Sequence, residues 1–410
     1  MSEVSLILDI GNGSIGAAVV SYEKKKPSKN PAISNTRPEP TVLYSHREPL
    51  TFLPEVNEER LLAGMLELLK SVLTHVRTEA IALIPKNILG SMHFTHVVSV
   101  FSSPWYVSQT SIVKKESETP FHINNALVNE MVNKEEVRFA EALANGSYEK
   151  YFGNKVMLLE QALVHTAING YEVANPAGKW GRLFETTLFT SLISEKVLRL
   201  VEDVFYRIFH IRQIQCFSYA LVSWNAVRTL FPDVNNFVFL DVSGETTDLT
   251  ITVRGAITEI VSFPFGRATI LRLLVDSMKT SAETALSLIR MRSDGTLEKG
   301  TLAEVEKALQ VASDQWTSAF NQTLSAVSKK YNLPKRAFVT VDTTLASFLS
   351  GVLNRADIGP ALFKGPFDVT IVADDTIAPF IQTEWHDKTL PGAIDPALAL
   401  EAIFFGNKIS

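Results

Sequence analysis

Several things are scarce in this 410-residue chain. It has one cysteine, Cys216, set in an apolar stretch. A single thiol excludes an internal disulfide framework and suits a reducing cytoplasm. No run of 18 apolar residues occurs, so no membrane-spanning helix is expected. The N-terminus enters an apolar strand pattern at once, without the layout of a secretory signal. Basic charge is not in surplus either. The net charge of −5 and pI near 6.0 lack the electrostatic footprint of a nucleic-acid binder. The eight histidines are scattered. His93 and His96 lie close, but no cysteine or carboxylate cluster surrounds them to complete the three or four ligands a metal site needs, and they read as structural. The motifs G-x-x-x-x-G-K-[ST], H-E-x-x-H and G-x-S-x-G are absent, so P-loop, zincin and α/β-hydrolase chemistry have no support. Solenoid repeats and low-complexity tracts are missing too.

What is present is an ordinary globular balance, 46% hydrophobic and 20% charged, in a chain long enough for two or more domains. Two aspartate-led turns stand out. The first is Asp9-Ile10-Gly11-Asn12-Gly13-Ser14. The second is Asp241-Val242-Ser243-Gly244-Glu245-Thr246-Thr247-Asp248. Each follows a short apolar run and precedes another β-rich run, so strand, tight turn, strand is written twice. The glycines let backbone N–H groups approach a ligand closely, and Ser14, Thr246 and Thr247 add hydroxyls. Asp9 and Asp241, at strand ends, suit a hydrated magnesium ion. Facing each other, two such turns would grip a nucleotide polyphosphate from both sides. Residues 11–16 also match the dinucleotide fingerprint G-x-G-x-x-G, but that reading needs a helix directly afterwards. Ala17 to Tyr22 is β-branched and short, which argues for a strand. The plain alternative is a pair of glycine hairpins with no ligand.

In chain order, a polar, proline-rich loop (24–40) leads to a strand over 41–47 and an amphipathic helix capped by Asn57. A strand run over 97–107, a long helix over 123–144 and strands over 156–165 and 181–193 read as an inserted subdomain, 94–193. Helices follow over 197–209 and 220–230. After the second turn come a strand over 256–262 and helical patterns over 271–291 and 302–331. The chain ends with a strand over 337–341, a short helix over 345–353, a strand near 369–372 and a helix over 396–405. The expected organisation is α/β: first-lobe core 1–93, insert 94–193, connection 194–235, second-lobe core 236–267, helical subdomain 268–332, second-lobe core 333–392 and a returning C-terminal helix 393–410.

This order, with its two aspartate-led turns, resembles the actin-like ATPase superfamily, whose second phosphate motif usually reads D-x-G-x-x-T-[ST]-[DN]. The strand–helix–strand–strand insert is similar to that of its FtsA and PilM branch. The run Asn169-Gly-Tyr-Glu-Val-Ala-Asn-Pro-Ala-Gly178, with Trp180-Gly-Arg-Leu-Phe-Glu185, is similar to the FtsA insert. The resemblance implies a two-lobed actin-like (ribonuclease H-like) fold that binds ATP and Mg²⁺. Asp9 and Asp241 would hold the metal. Gly11, Asn12, Gly13, Ser14, Ser243, Gly244, Glu245, Thr246 and Thr247 would meet the phosphates, with Gly266 and Glu283 at comparable positions nearby. Asp248 would orient water.

Departures from the family weaken the catalytic part of that expectation. Ser243 replaces the usual first glycine. The adenosine turn after the 337–341 strand reads Asp342-Thr343-Thr344, with no glycine, where a Cβ would crowd the ligand. The helix before the second motif opens on Phe217-Ser218-Tyr219 rather than near a carboxylate. The chain is therefore expected to be at most a weak ATPase, a nucleotide-binding cytoplasmic scaffold of the FtsA type in cell division or membrane-complex assembly, with a PilM-like pilus role as the alternative, reaching the membrane only through a partner. The basic amphipathic tail of FtsA has no counterpart after the last helix. The resemblance implies partners of two kinds, a tubulin-like division protein or a bitopic membrane protein of the pilus type, and self-association. A small-molecule kinase, or an interaction module that has lost its ligand, are the other readings.

Overall fold

The computed structural model describes residues 3–23, 39–84, 94–144, 155–355, 367–383 and 395–409. The first stretch forms β1 (Glu3–Ile10), β2 (Ser14–Tyr22), β3 (Pro40–Pro49), α1 (Glu58–His75) and β4 (His96–Phe101). Next come β5 (Tyr106–Ile123), α2 (Asn125–Ala144), β6 (Val156–Ile168), β7 (Tyr171–Glu172) and β8 (Lys179–Ser194). Then follow α3 (Glu195–Phe209), β9 (Gln215–Ser218) and α4 (Tyr219–Leu230). The second half opens with β10 (Phe237–Val242), β11 (Thr247–Val253) and β12 (Ala256–Phe263). It continues through α5 (Arg267–Met278), α6 (Ala282–Ser293) and α7 (Lys299–Ser328). After these come β13 (Arg336–Val341), α8 (Thr343–Leu353) and β14 (Asp368–Ile371). Short β15 (Gln382–Thr383) and α9 (Pro396–Lys408) close the chain. Helical turns at 76–83 and 374–380 are left unlabelled.

Two sheets repeat one plan. The first has the order β15-β3-β2-β1-β4-β9 and the second β12-β11-β10-β13-β14. In each, a central strand pairs antiparallel with its hairpin partner on one side and parallel with a crossover strand on the other. The central strands are apolar on both faces, as strands covered on two sides must be. In β1, Leu6, Leu8 and Ile10 pack toward α1 and α3, while Ile7 faces the opposite core. In β10, Val238, Leu240 and Val242 face α5 to α8, while Phe237 and Phe239 face α4 and α9. Helices α4 and α9 share a core with residues of both sheets, among them Val98 from the first and Phe338 from the second. They lie between the lobes, and the mouth of the cleft opens at the ends of β1 and β10.

A third, antiparallel sheet of order β5-β8-β6-β7 carries α2, giving strand, helix, strand, strand. β4 falls inside the 94–193 segment, yet it pairs with β1 and β9 in the first sheet. The expected 97–107 strand is therefore two strands of different sheets. β5 also runs on to Ile123 through a polar stretch that the sequence did not mark as strand, and most of its side chains there are half-exposed or exposed. The expected helix over 271–291 is likewise two helices. Lys279 takes a left-handed conformation (φ 52) at the end of α5, and Ser281 caps α6 by accepting from the Thr284 N–H.

Candidate nucleotide cleft

Asp9 and Asp241 occupy equivalent places on the two central strands. Asp9 lies opposite Gly16 across its hairpin, and Asp241 lies opposite Asp248. Both line one cleft of about 310 Å³, together with Gly11, Gly13, Ser14 and Gly244, and with Asp342 on the second-lobe side. That volume is at the small end for a ligand pocket.

The turns meet one another. A Cβ built on Gly13 would stand 2.4 Å from the Gly244 Cα, and one on Gly244 would stand 2.3 Å from the Gly13 Cα. Only glycine at both positions permits this approach. Asn12, almost wholly buried, stitches the contact: its Oδ1 accepts from the Glu245 N–H (2.9 Å) and its Nδ2 donates to Thr246 Oγ1 (3.0 Å). Glu245 forms a bidentate pair with Arg272, which also donates to the Leu53 carbonyl of the first lobe. Arg267 donates to Asp342 Oδ2 and, across the cleft, to the Gly13 carbonyl (3.3 Å). Ser243 closes its own turn, its hydroxyl donating to the Thr246 carbonyl.

Arg47, from β3, enters the cleft from the first lobe. Its Nη2 lies 2.7 Å from Asp9 Oδ2, its Nη1 donates to Ser14 Oγ (2.8 Å), and its Nε and Nη2 both reach the Asp395 carboxylate. Asp395 in turn caps α9, accepting from the Leu398 N–H. One guanidinium thus binds β3, the first turn and the last helix. It pulls the Asp395 carboxyl below its usual range, against the opposing effect of burial.

Four other carboxyls are protonated more readily than usual. Burial, then the facing Asp248, pushes Asp241 up to about 8, with Thr340 Oγ1 donating to it at 2.8 Å. Burial also raises Asp248, which is contacted by Ser262 and Ser103. Glu401 on α9 is fully buried, with neither carboxyl oxygen hydrogen-bonded among the described residues, and burial drives it far up. Glu160, from β6 of the insert, is raised to about 7 by burial. It accepts from the Ser218 N–H (2.8 Å), the Ser218 hydroxyl and Ser191 Oγ (3.1 Å). The insert thereby supplies a carboxyl at the opening of α4, where the 217–219 sequence has none.

Of the residues expected from sequence, Asp9, Gly11, Gly13, Ser14, Asp241, Ser243 and Gly244 line the cleft. Asn12, Glu245 and Thr246 bridge the turns. Thr247 turns into the second-lobe core, donating to the Phe265 carbonyl and accepting from Trp316 Nε1. Gly266 begins α5 against the Ser243 and Gly244 carbonyls, which receive the Arg267 and Ala268 N–H groups. Glu283 is exposed in the first turn of α6 and is not brought to the cleft. Sequence reasoning missed Arg47, Arg267, Arg272, Asp395 and Glu160. For Asp395 a signal existed, an Asp-Pro pair at a helix start. For the arginines there was none, since a strand or helix arginine is ordinarily solvated.

A magnesium–nucleotide complex does not fit this arrangement. A divalent cation on Asp9 would press against the Arg47 guanidinium. A phosphate chain between the turns would have to part Gly13 from Gly244. The Glu245 N–H, a natural phosphate donor, is taken by Asn12. Among the described residues, the buried Asp9 Oδ1 has no hydrogen-bond partner.

No protein-family model matches the sequence, and no curated protein does. Among solved structures, the chain is similar to one of the PilM–PilN type IV pilus biogenesis complex, with 14% identity and a TM-score of 0.60, covering 98% of each chain. It also aligns with a Bacteroides thetaiotaomicron protein of actin-like ATPase fold and unknown function, at 11% identity and TM-score 0.41 over 98% of this chain and 96% of that one. The ethanolamine utilization protein EutJ from Carboxydothermus hydrogenoformans aligns at 12% identity and TM-score 0.41, over 98% and 89%. The fold is that of the actin-like ATPases: two lobes, with a strand–helix–strand–strand insert in the first.

Proposed function

We propose that this chain is a non-hydrolysing scaffold of the PilM kind, an actin-fold protein that works by binding other proteins at the inner face of a membrane. The observation that carries this reading is Arg47. It supplies, from within the chain, the positive charge that a metal would otherwise bring to Asp9. The closed arrangement of the lobes is then held by side chains rather than by a bound nucleotide. Similarity across the whole length to a chain of a pilus biogenesis complex supports a protein partner, and the family resemblance makes that partner a bitopic membrane protein of the pilus type. Among the described residues no helix is long and apolar enough to cross a membrane, and recruitment would come through that partner.

Affinity capture from the native cell tests the assignment. Recovery of a small bitopic membrane protein, reproduced by direct binding of its cytoplasmic peptide, is the expected result. Recovery of a tubulin-like division protein instead would move the role to the FtsA kind. A second reading keeps a nucleotide in the cleft, and one feature favours it: Arg47 and Arg267 both line the cavity and could face phosphate oxygens. In that case nucleotide affinity would be independent of magnesium. A kinase would need a free catalytic carboxylate, and of the two candidates Glu245 is engaged by Arg272 and Asp248 is buried opposite Asp241.

A further inference from the structure

The strand that delivers Arg47 to the cleft delivers two other side chains to its opposite face. Residues alternate across a strand, so His46 and Glu48 point away from Arg47. There they meet His75, the last residue of α1. The His46 Nε2 lies 2.8 Å from Glu48 Oε1, and the His46 and His75 rings stack with centroids 3.8 Å apart and planes 9° apart. One nitrogen from each ring and one Glu48 oxygen all lie within 4.8 Å of one another. Ser71, one turn before His75 on the same face of α1, hydrogen-bonds Glu48 from behind.

We propose that His46, Glu48 and His75 form a site for a divalent transition-metal ion, zinc by the softness of its ligands. Two imidazoles and a carboxylate are a recognised zinc set, with water in the fourth position. Zinc bonds of 2.0–2.2 Å place ligand atoms about 3.3 Å apart in a tetrahedron. The His46–Glu48 pair, now 2.8 Å apart, opens slightly and the His75 nitrogen closes from within 4.8 Å, so the stacked rings tilt by rotation about χ2, which is a broad torsion for histidine. The ion takes the place of the His46–Glu48 hydrogen bond, and each neutral imidazole keeps its one proton on the ring nitrogen that does not bind. Ser71 fixes the carboxylate from outside, as groups behind a metal ligand commonly do. The three side chains are each partly exposed, about 25% for His46 and Glu48, so an ion can enter from solvent. Bound there, it clamps β3 to the end of α1, directly behind Arg47. The site is separate from the cleft and does not depend on the scaffold reading.

The test is titration of zinc chloride into chelator-treated full-length protein, read by a competing chromophoric chelator. One ion per chain is expected. His75→Ala and Glu48→Gln should each weaken binding at least about 100-fold, more than loss of an outer partner does, whereas Asp241→Asn in the cleft leaves it unchanged. X-ray absorption on the zinc-loaded wild type, which needs no variant to fold, should show two imidazole nitrogens and oxygen at about 2.0–2.2 Å. Failure to bind stoichiometric zinc would overturn the proposal. So would binding that His75→Ala and Glu48→Gln leave intact, or a spectrum without imidazole.

Discussion

Arg47 ties three segments that are distant in sequence, so its removal leaves two carboxylates facing each other in a buried space. Stripping one partner from a buried ion pair typically costs about 3–5 kcal/mol. Arg47→Met should therefore lower stability by that order in urea denaturation, and adding Asp9→Asn should restore part of the loss. Independent, additive effects of the two changes would mean that the pair seen here does not form in solution. Glu160 makes a separate prediction through pH. Its carboxyl titrates near 7 in the folded protein against an ordinary value of 4.5, so the native state holds the proton more tightly than the unfolded chain. The associated stability is fully present below about pH 4.5 and is lost as pH rises through about 7. Glu160→Gln imitates the protonated group and keeps an oxygen for Ser218 and Ser191. It should match the wild type near pH 5 and melt higher at pH 8. Parallel melting curves at every pH would show that Glu160 does not titrate in this range.

At the scale of elements, the two hairpins were legible because each writes a strand, a glycine turn and a second strand in consecutive residues. The caps were legible as well: Asn57 accepts from the Arg60 N–H as its position suggests. What was not legible depends on partners remote in sequence. β5 is polar and charged through Lys114, Lys115 and Glu116, and becomes a strand because β8 pairs with it along its length. The break between α5 and α6 hides in a continuous helical pattern, since lysine is an uncommon left-handed residue. Ser281 is the readable part of that break. Ser281→Ala should cost about 1 kcal/mol, as loss of an N-cap hydroxyl does, measured by chemical denaturation. No loss would place the start of α6 elsewhere. The metal cluster was invisible for the same reason as β5: His75 is far from His46 and Glu48 along the chain, and only the packing of α1 on β3 joins them.

For the whole molecule, the question is what keeps the lobes together. Residues from both lobes meet at the turns, and each contact is made by the protein itself: Gly13 on Gly244, Asn12 on Glu245 and Thr246, Arg267 on the Gly13 carbonyl, and Arg272 on the Leu53 carbonyl. A ligand shifts a conformational equilibrium only by its differential affinity for the two states. With the closed state already latched and the cation's place taken by Arg47, magnesium and ATP have little to add. The sequence singled out Asp9 and Asp241, and both line one hollow. It could not show that an arginine fills part of it.

Isothermal titration of ATP into the full-length protein, with and without excess magnesium, tests this most directly. The account predicts no magnesium-dependent heat and no ADP formation in the same sample. Saturable binding that requires magnesium and disappears in Asp9→Asn would contradict it, because the metal would then occupy the place assigned here to Arg47.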